Sequence, residues 1–162
     1  MTDDLLYADG GVVGRNPSSL GGTWAWVLVR GGEVVRQASG AVTPGDVDVT
    51  AVTNNQSELL AAVRALEAMP PGWAGVLRTD SKVTLHRLTH SEKFNGVPQW
   101  LRLRALAVRR GRRWRVELVG GHPTRAELAA GRLRKNGLPC CRWNVLVDAL
   151  CGAAARALAR NP

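Results

Sequence analysis

The stretch LLYADGG, residues 5–11, decides how this chain is expected to fold. Its first four residues predict a short buried strand that leads into Asp9. Gly10 and Gly11 follow directly, and two glycines at this point allow the backbone to turn sharply. The stretch therefore predicts a strand that carries a carboxylate at its C-terminal end, which is where an α/β sheet places its ligands.

Three more acids occupy comparable places further along the chain. Glu58 stands near the start of a predicted helix, and Asp80 follows the apolar run at residues 75–79. Asp148 lies within the last predicted helix. Carboxylates that gather at one end of a sheet supply the oxygen ligands that Mg²⁺ prefers. The sequence thus predicts a magnesium site formed by these acids together with Asp9.

Each acid also has a purely structural interpretation. Asp9 could be a turn residue before two glycines, and Asp148 could be a surface acid of the last helix. Glu58 could complete a capping box in which Asn55 is the N-cap. Asp80, or the serine after it, could cap the helix that follows. Taken together, these structural interpretations become less convincing. Asp9 and Asp80 both end apolar strands, where an α/β sheet places its ligands, and Glu58 begins a helix.

The remaining elements follow from apolar spacing and turn residues. Further strands are predicted at residues 23–29, 34–38, 75–79 and 113–119. Helices are predicted at residues 55–69, 82–89, 97–110 and 143–159. A small inserted helix is predicted after the capping box formed by Thr124 and Glu127, with Gly131 at its end. This order of elements indicates an α/β fold with a mixed sheet and helices packed on its faces.

The composition indicates one globular domain over residues 1–162, since 45% of the residues are hydrophobic. No run approaches the ~18 uncharged apolar residues of a membrane span, and the N-terminus lacks the pattern of a signal peptide. Cys140 and Cys141 are adjacent, and Cys151 lies on an apolar helix face, which is typical of reduced thiols. We therefore expect a cytoplasmic protein without a membrane interaction.

The net charge of +9 is concentrated in the C-terminal third of the chain. Residues 1–100 hold eight Lys and Arg against ten Asp and Glu, a balance of −2, whereas residues 101–162 hold fourteen against three, a balance of +11. Within that third, the run RRGRRWR at residues 109–115 is dense enough to favour a polyanionic partner, because like charges at this spacing repel one another. A nucleic acid is the expected partner, and a solvated arginine-rich face is the alternative.

The sequence around the acids resembles the type 1 ribonuclease H family. The segments that carry the resemblance are YADGG at 7–11, Asn16-Pro17, Gly21-Gly22, TNNQSEL at 53–59, TDS at 79–81, Gly121-His122 and Asn144-x-x-x-Asp148. The resemblance spans nearly the whole chain, and its most specific segments are TNNQSEL and TDS. It implies a ribonuclease H-like fold with a five-stranded mixed sheet in the order 3-2-1-4-5 and helices on both faces. It also implies an endonuclease that cuts the RNA strand of an RNA/DNA hybrid.

The same resemblance assigns the catalytic groups. It implies that the metal-binding carboxylates are Asp9, Glu58, Asp80 and Asp148, and that His122 is a catalytic histidine. Hydrolysis of a phosphodiester needs a more acidic attacking water and a stabilised leaving 3′-oxygen, and two divalent ions ~4 Å apart provide both. We expect two Mg²⁺ ions, with Mn²⁺ as a substitute, and 5′-phosphate and 3′-hydroxyl products.

The expected substrate contacts fall into two groups. Discrimination of RNA from DNA requires contact with the 2′-hydroxyl, for which amide side chains that donate and accept are suited. The resemblance assigns this contact, and the binding of a phosphate, to Gly11, Asn16, Thr53, Asn54 and Asn55. The basic residues predicted to contact the nucleic-acid backbone are Lys82, Arg110, Arg112 and Arg113. The arginine run is expected to replace a basic protrusion that some bacterial relatives carry and this chain lacks.

Two other classes of function remain compatible with these residues. A junction resolvase or a proofreading exonuclease of the same fold would share the acids, but such exonucleases usually carry Asp-x-Glu on the first strand, where this chain has Gly11. A non-catalytic hybrid-binding module is the other class, and four retained acids argue against it because they would repel one another without a metal. No protein partner is implied. His86 and His90 match no motif and are treated as background.

Overall fold

The computed structural model describes residues 4–90, 94–121, 124–132, 137–139 and 141–161. Its strands are β1 (Leu5–Val12), β2 (Gly22–Arg30), β3 (Glu33–Val42), β4 (Val76–Thr79) and β5 (Arg115–Leu118). They form one five-stranded sheet in the order β3-β2-β1-β4-β5. The first three strands pair antiparallel, and β1, β4 and β5 pair parallel. The mixed sheet predicted from the order of elements and the strand order implied by the resemblance are both confirmed.

Helices cover both faces of this sheet. They are α1 (Asn54–Glu67), α2 (Lys82–Thr89), α3 (Gln99–Arg109), α4 (Arg125–Ala129) and α5 (Arg142–Arg160), with a short 3-10 turn at Gly45–Val47. α1 packs on β1 and β2 with α2 and α3 beside it, and α5 packs on β1, β2 and β3 from the opposite face. Within the described ranges, no helix combines the length and apolar character needed to cross a bilayer.

The central strand β1 contributes to two separate cores. Successive side chains of a strand point to opposite faces of the sheet. Leu6 and Ala8 accordingly lie in the core beneath α1, α2 and α3, while Tyr7 lies in the smaller core that α5 covers with Val147 and Cys151. β1 is therefore held on both faces, which fixes the position of the residues near its C-terminal end.

The pairing of β1 with β4 brings two of the predicted acids to the same edge of the sheet. The strands run parallel, with Leu6 opposite Leu77 and Tyr7 opposite Arg78. Continuing this register by two residues along each chain sets Asp9 level with Asp80. Parallel pairing thus accounts for the meeting of two carboxylates that lie far apart in sequence.

The first strand differs from the sequence prediction at its end. β1 does not turn at the two glycines but continues through them to Val12. Gly10 is required there for close packing, because a Cβ atom at this position would lie 2.3 Å from the backbone carbonyl of Ser57 in α1. The same helix meets β2 at Gly22, where a Cβ would lie 2.2 Å from Ser57 Oγ. The glycines therefore allow α1 to approach the sheet, and they do not serve as a turn.

Candidate metal and nucleic-acid site

Three of the four predicted acids meet in space. Asp9, Glu58 and Asp80 each offer a carboxylate oxygen, and these oxygens all lie within 4.8 Å of one another. The three residues come from the middle of β1, the first half of α1 and the position that follows β4. The close approach of α1 at Gly10 brings Glu58 to the sheet edge where the other two acids lie.

Asp9 has the most strongly perturbed environment of the three. Its side chain is buried, and its Oδ1 accepts a hydrogen bond from the Gly10 backbone N–H at 2.8 Å. Burial raises the pKa of Asp9 well above its usual value near 3.8, and the neighbouring charges of Asp80, Glu58 and Asp148 raise it further. Desolvation and like charges both penalise the ionised carboxylate. The ionised cluster is therefore unfavourable unless a positive charge is bound to it.

Asp148 lies close to the cluster but outside the group of three. It is exposed on α5, and its charge contributes to the raised pKa of Asp9. One turn earlier on the same helix, the buried Asn144 donates a hydrogen bond from Nδ2 to Asp80 Oδ2 at 3.3 Å. The predicted motif of Asn144 and Asp148 is thus present at the site. Asn144 is a contact of the cluster that the sequence prediction of site residues omitted.

The structural interpretation of Glu58 is wrong, and of the two caps considered for α2 the serine is the one observed. The N-cap of α1 is Thr53, whose hydroxyl accepts from the Gln56 N–H while the Gln56 side chain accepts from the Thr53 N–H. Glu58 is therefore not part of a capping box with Asn55. The N-cap of α2 is Ser81, which accepts from the Thr84 N–H at 3.1 Å, so Asp80 does not cap that helix. Neither carboxylate is needed for capping.

The loop that carries Asn16 is joined to the start of α1. Ser18 and Val52 form an isolated β-bridge, with hydrogen bonds of 2.8 and 2.9 Å between their backbone groups. Beside this bridge, Asn16 Oδ1 accepts from the backbone N–H of Asn54 at 3.0 Å. Two residues predicted to contact the hybrid are therefore adjacent in space although they are far apart in sequence.

Asn54 also connects this polar surface to the carboxylates. Its Nδ2 donates to Glu58 Oε1 at 2.8 Å. Asn55 is exposed at the first turn of α1, and Gly11 lies two residues beyond Asp9 on β1. Thr53 uses its oxygen as an acceptor within the cap, which leaves its hydroxyl proton available to a ligand. The start of α1 thus presents amide and hydroxyl groups next to the acidic cluster.

The basic residues predicted to contact the nucleic acid differ in their environments. Lys82, Arg110 and Arg113 are exposed, and within the described part of the chain the side chains of Arg110 and Arg113 form no hydrogen bond or ion pair. Arg112 stacks on the Trp114 ring at 4.4 Å and donates to the carbonyls of Trp114 and Leu88, at 2.8 and 3.4 Å. Arg112 therefore has a packing role in addition to its predicted role in binding.

Arg87 in α2 is a positively charged residue that contacts the first turn of α1. The sequence prediction of site residues did not include it. It is 8% exposed, and it donates to the backbone carbonyls of Asn55 in α1 and Asn95, at 3.3 and 3.1 Å. Burial lowers its pKa, while the nearby Glu58 raises it. Its spacing from the buried Thr84 and Leu88 places it on the inner face of α2, and this spacing was the available signal.

His122, which is predicted to be catalytic, lies outside the described residues. The structure therefore gives no position for its imidazole. The neighbouring backbone is described up to Gly121, where a Cβ atom would lie 2.3 Å from Asp80 Oδ2. The chain that leads to His122 thus passes directly beside the acidic cluster.

The chemistry of the donor set fits a hard divalent cation. All three grouped ligands are carboxylate oxygens, and such ligands suit Mg²⁺ or Mn²⁺ in preference to softer ions. Within the described part of the chain, no positively charged group is among those that set the raised pKa of the buried Asp9. A cation at this position would relieve both the desolvation and the mutual repulsion of the acids. The residues present therefore match the predicted metal site.

Comparison with known proteins yields sequence and structural matches. No protein-family model matches the chain. A curated protein named Ribonuclease H, from Methylorubrum extorquens (strain PA1), is 35% identical over 85 residues. These residues are 52% of this chain and 32% of that protein, so the match spans about a third of the relative's length.

Solved structures match over much more of the chain. RNase H1 from the halophilic archaeon Halobacterium salinarum NRC-1 is 28% identical, with a TM-score of 0.66 over 95% of this chain and 98% of that one. The N-terminal RNase H domain of Rv2228c from Mycobacterium tuberculosis has the same TM-score at 21% identity, covering 97% and 96% of the two chains. The second of these supports the fold alone. Together the matches confirm the resemblance to the type 1 ribonuclease H family and the ribonuclease H fold.

Proposed function

We propose that this protein is an endonuclease that hydrolyses the RNA strand of RNA/DNA hybrids and depends on divalent cations. The observation that carries the proposal is the meeting of Asp9, Glu58 and Asp80 within 4.8 Å, next to the Asn16 and Asn54 pair. A carboxylate cluster suits phosphodiester hydrolysis, and adjacent amides suit the recognition of a ribose hydroxyl. The similarity to proteins named as ribonucleases H supports the same activity.

The acids have the role of holding the cations. Asp9, Glu58 and Asp80 would bind two Mg²⁺ ions, for which Mn²⁺ would substitute, with Asp148 completing the site from α5. Such ions, when bound, make a water molecule more acidic and stabilise negative charge on a leaving oxygen. Attack by water with the 3′-oxygen as the leaving group would release 5′-phosphate and 3′-hydroxyl ends. His122 would relay a proton near the leaving group, a task for which an imidazole is suited because the ordinary pKa of histidine lies near neutral pH.

Recognition of the RNA strand belongs to the start of α1. The amides of Asn16, Asn54 and Asn55 can both donate to and accept from a 2′-hydroxyl, which lies in the wide minor groove of an A-like duplex. The Thr53 hydroxyl proton can reach a phosphate, and Gly11 leaves the backbone of β1 accessible. Discrimination arises here because a DNA strand lacks the hydroxyl that would pair with these amides.

The basic residues contribute affinity without sequence preference. Lys82 follows the acidic cluster at the start of α2, and the exposed Arg110 and Arg113 lie after α3. Contacts of such side chains with phosphates release condensed counterions and so strengthen binding at low salt. We infer that these residues hold the backbone of the duplex. We also infer a cytoplasmic setting, with which the free thiols of Cys141 and Cys151 agree.

One assay tests the proposed activity against its alternatives. Labelled RNA/DNA hybrid, double-stranded RNA, double-stranded DNA and a four-way junction are incubated with the protein, with and without Mg²⁺. Cleavage of the RNA strand of the hybrid alone, and only with Mg²⁺, is the expected result. Comparable cutting of the junction or of double-stranded DNA would contradict the proposal and indicate a resolvase or an exonuclease.

A pair of variants separates catalysis from binding. Asp80→Asn should abolish turnover while hybrid binding persists, because a neutral amide is a poor ligand for Mg²⁺ but does not remove the recognition surface. Asp48→Asn is the matched control, since Asp48 is an exposed acid outside the cluster and its variant should retain full activity. Wild-type protein that binds the hybrid but leaves it intact would instead indicate a binding module.

A further inference from the structure

Two exposed histidines lie close together at the C-terminal end of α2, one in its last turn and one at its C-cap. His86 and His90 are four residues apart, both are exposed, and their ring centroids are 5.0 Å apart with the planes tilted by 40°. Residues at this spacing lie on the same face of a helix, one turn apart. Two imidazoles at this separation can direct a nitrogen each towards a common point between the rings. The pair has no part in the proposed hydrolysis.

A hydrogen bond fixes which nitrogen of His90 is available. Thr89 Oγ1 lies 2.8 Å from the Leu85 carbonyl oxygen, to which it donates its only proton. The same oxygen lies 2.9 Å from His90 Nδ1. Because the hydroxyl proton is already committed, Thr89 must accept this second bond, and His90 Nδ1 must carry the hydrogen. In a neutral imidazole, His90 Nε2 is then the nitrogen with a free lone pair.

This arrangement is the one that metal-ligating histidines usually show. Such histidines donate the second ring N–H to an oxygen acceptor, which fixes the tautomer and the ring orientation. Thr89 provides that acceptor for His90, and the α-helix sets the spacing to His86. Imidazole ligands suit zinc, copper and nickel ions rather than Mg²⁺. The donor chemistry therefore differs from that of the carboxylate cluster.

We propose that His86 and His90 bind a transition-metal ion of this class, with Zn²⁺ as the expected ion and solvent water as its remaining ligands. The site is separate from the carboxylates, since eight residues from Lys82 to His90 at ~1.5 Å per residue give about 12 Å of helix between them. The ion links the last turn of α2 to its C-cap, His90. It thereby stabilises the helix that carries Arg87 without taking part in hydrolysis.

Calorimetric titration tests the site directly. Zn²⁺ is added to the full chain in excess Mg²⁺, which occupies the carboxylate cluster. Wild-type protein should bind one Zn²⁺ through the pair, whereas His86→Ala and His90→Ala should each lose that binding. Thr89→Val should weaken it by roughly ten- to a hundredfold, the usual effect of losing an outer hydrogen bond to a ligand. His122→Ala should leave it unchanged, because the remaining histidine of the chain is not part of the pair.

Thermal unfolding provides a second readout that does not depend on activity. Zn²⁺ should raise the unfolding temperature of the wild type by a few degrees at saturating concentration and leave that of the His86→Ala, His90→Ala double variant unchanged. The substituted side chains are exposed, so the variants should fold without the metal. Equal Zn²⁺ affinity in wild type and double variant, or full affinity in either single variant, would overturn the proposal.

Discussion

Asn144 in α5 donates a hydrogen bond to the Asp80 carboxylate at 3.3 Å and so joins the last helix to the residue that follows β4. The Asn144 side chain is fully buried, and its Oδ1 has no hydrogen-bond partner within the described ranges. Its amide is therefore committed to Asp80 rather than to α5 itself. The end of β4 and α5, joined here across 64 residues of sequence, depend on this contact for their relative position at the acidic cluster.

Replacement of Asn144 by alanine should destabilise the protein and weaken cation binding. Loss of a buried hydrogen bond to a charged group costs about 1.5–3 kcal/mol, and Asp80 loses the contact that orients it. Urea unfolding measures the first effect, and Mn²⁺ titration measures the second. Asn161→Ala, at the exposed end of α5, is the control and should change neither quantity. An unaltered Mn²⁺ affinity in Asn144→Ala would contradict the orienting role.

The pH dependence of the free energy of unfolding should reveal the desolvation and like-charge repulsion that act on ionised Asp9. Its pKa in the folded protein is raised by burial and by neighbouring acids, so folding favours the protonated form. In EDTA, this contribution to stability is fully present below the pKa of the unfolded chain, near 3.8, and is lost as the pH rises through the raised value. Asp9→Asn cannot ionise at this position and should therefore be more stable than the wild type at neutral pH in EDTA.

The same variant should lose most of the stabilisation that cations give to the wild type. Mg²⁺ should stabilise the wild type and have little effect on Asp9→Asn, because a ligand stabilises a protein only as far as the folded state binds it. Thermal unfolding from pH 4 to 8, with EDTA or with Mg²⁺, measures both effects. If Asp9→Asn lowers stability in EDTA at neutral pH, the inferred repulsion among the carboxylates is incorrect.

Arg87 should act on catalysis by positioning the first turn of α1. Arg87→Met keeps the length and apolar part of the side chain but removes both hydrogen bonds to carbonyls, one of which is that of Asn55. We expect kcat/KM for the hybrid to fall by roughly tenfold, about 1.4 kcal/mol of transition-state stabilisation. Arg87→Lys should restore part of this loss, because it returns the charge and one donor.

The matched control for this experiment is Arg36→Met. Arg36 also donates to a backbone carbonyl, that of Ala68, at 3.1 Å, but it lies on β3 away from the cluster. Its loss should leave kcat/KM unchanged. Steady-state kinetics are measured well below the unfolding temperature of each variant, so that partial unfolding does not lower the measured kcat/KM. Equal kcat/KM in Arg87→Met and wild type would show that the contact with Asn55 is only structural.

The arginine run should divide into binding and packing residues. Arg110→Ala with Arg113→Ala should flatten the slope of log K against log salt for hybrid binding by somewhat less than about two units, since each lost phosphate contact removes ~0.9. Calcium replaces the catalytic ion in this titration so that the hybrid stays intact. An unchanged slope would mean that the two arginines form only a solvated surface.

Arg112→Ala should show a different effect, mainly on folding. It removes the stacking on Trp114 and the hydrogen bonds to two carbonyls, and we expect a loss of about 1–2 kcal/mol in the free energy of unfolding. Urea unfolding measures this loss, with the Arg110 and Arg113 double variant as the control that retains wild-type stability. A stable Arg112→Ala variant with weakened hybrid binding would instead assign the residue to the substrate.

His122→Ala should slow the reaction without stopping it. A positioned proton relay contributes about 10²–10⁴ to a rate, and solvent replaces part of this contribution, so we expect a decrease of roughly ten- to a thousandfold at saturating hybrid. Single-turnover kinetics with excess enzyme measure the chemical step. An unchanged rate would exclude His122 from proton transfer.

The sequence predicted the sheet and the acidic cluster for a physical reason. Asp9 and Asp80 each follow an apolar run, and the parallel pairing of β1 and β4 brings them to the same edge. The helix cap was harder to predict, because TNNQSEL offers several polar residues and both Thr53 and Asn55 satisfy the preferences of an N-cap. The choice depends on the Asn16 contact and the close approach at Gly10, which arise only in the folded chain.

The positioning residues were missed because their partners are distant in sequence. Arg87 carries a charge that normally indicates a surface, yet it is buried because two carbonyls from different segments receive its hydrogen bonds. Asn144 likewise acquires its role only when α5 meets the end of β4. Periodicity indicates which face of a helix a residue occupies, but it does not identify the group that will pack against that face.

Under the proposed function, Asn54 would make the binding of cations and the binding of the nucleic acid mutually dependent. Its backbone N–H bonds to Asn16, and its side chain bonds to Glu58, so one residue belongs to both ligand environments. A hybrid that engages this amide alters the carboxylate, and an ion at the carboxylate alters the amide. By thermodynamic reciprocity, ions must strengthen or weaken hybrid binding by the same factor by which the hybrid changes ion binding. The free ion concentration would then set substrate affinity as well as turnover.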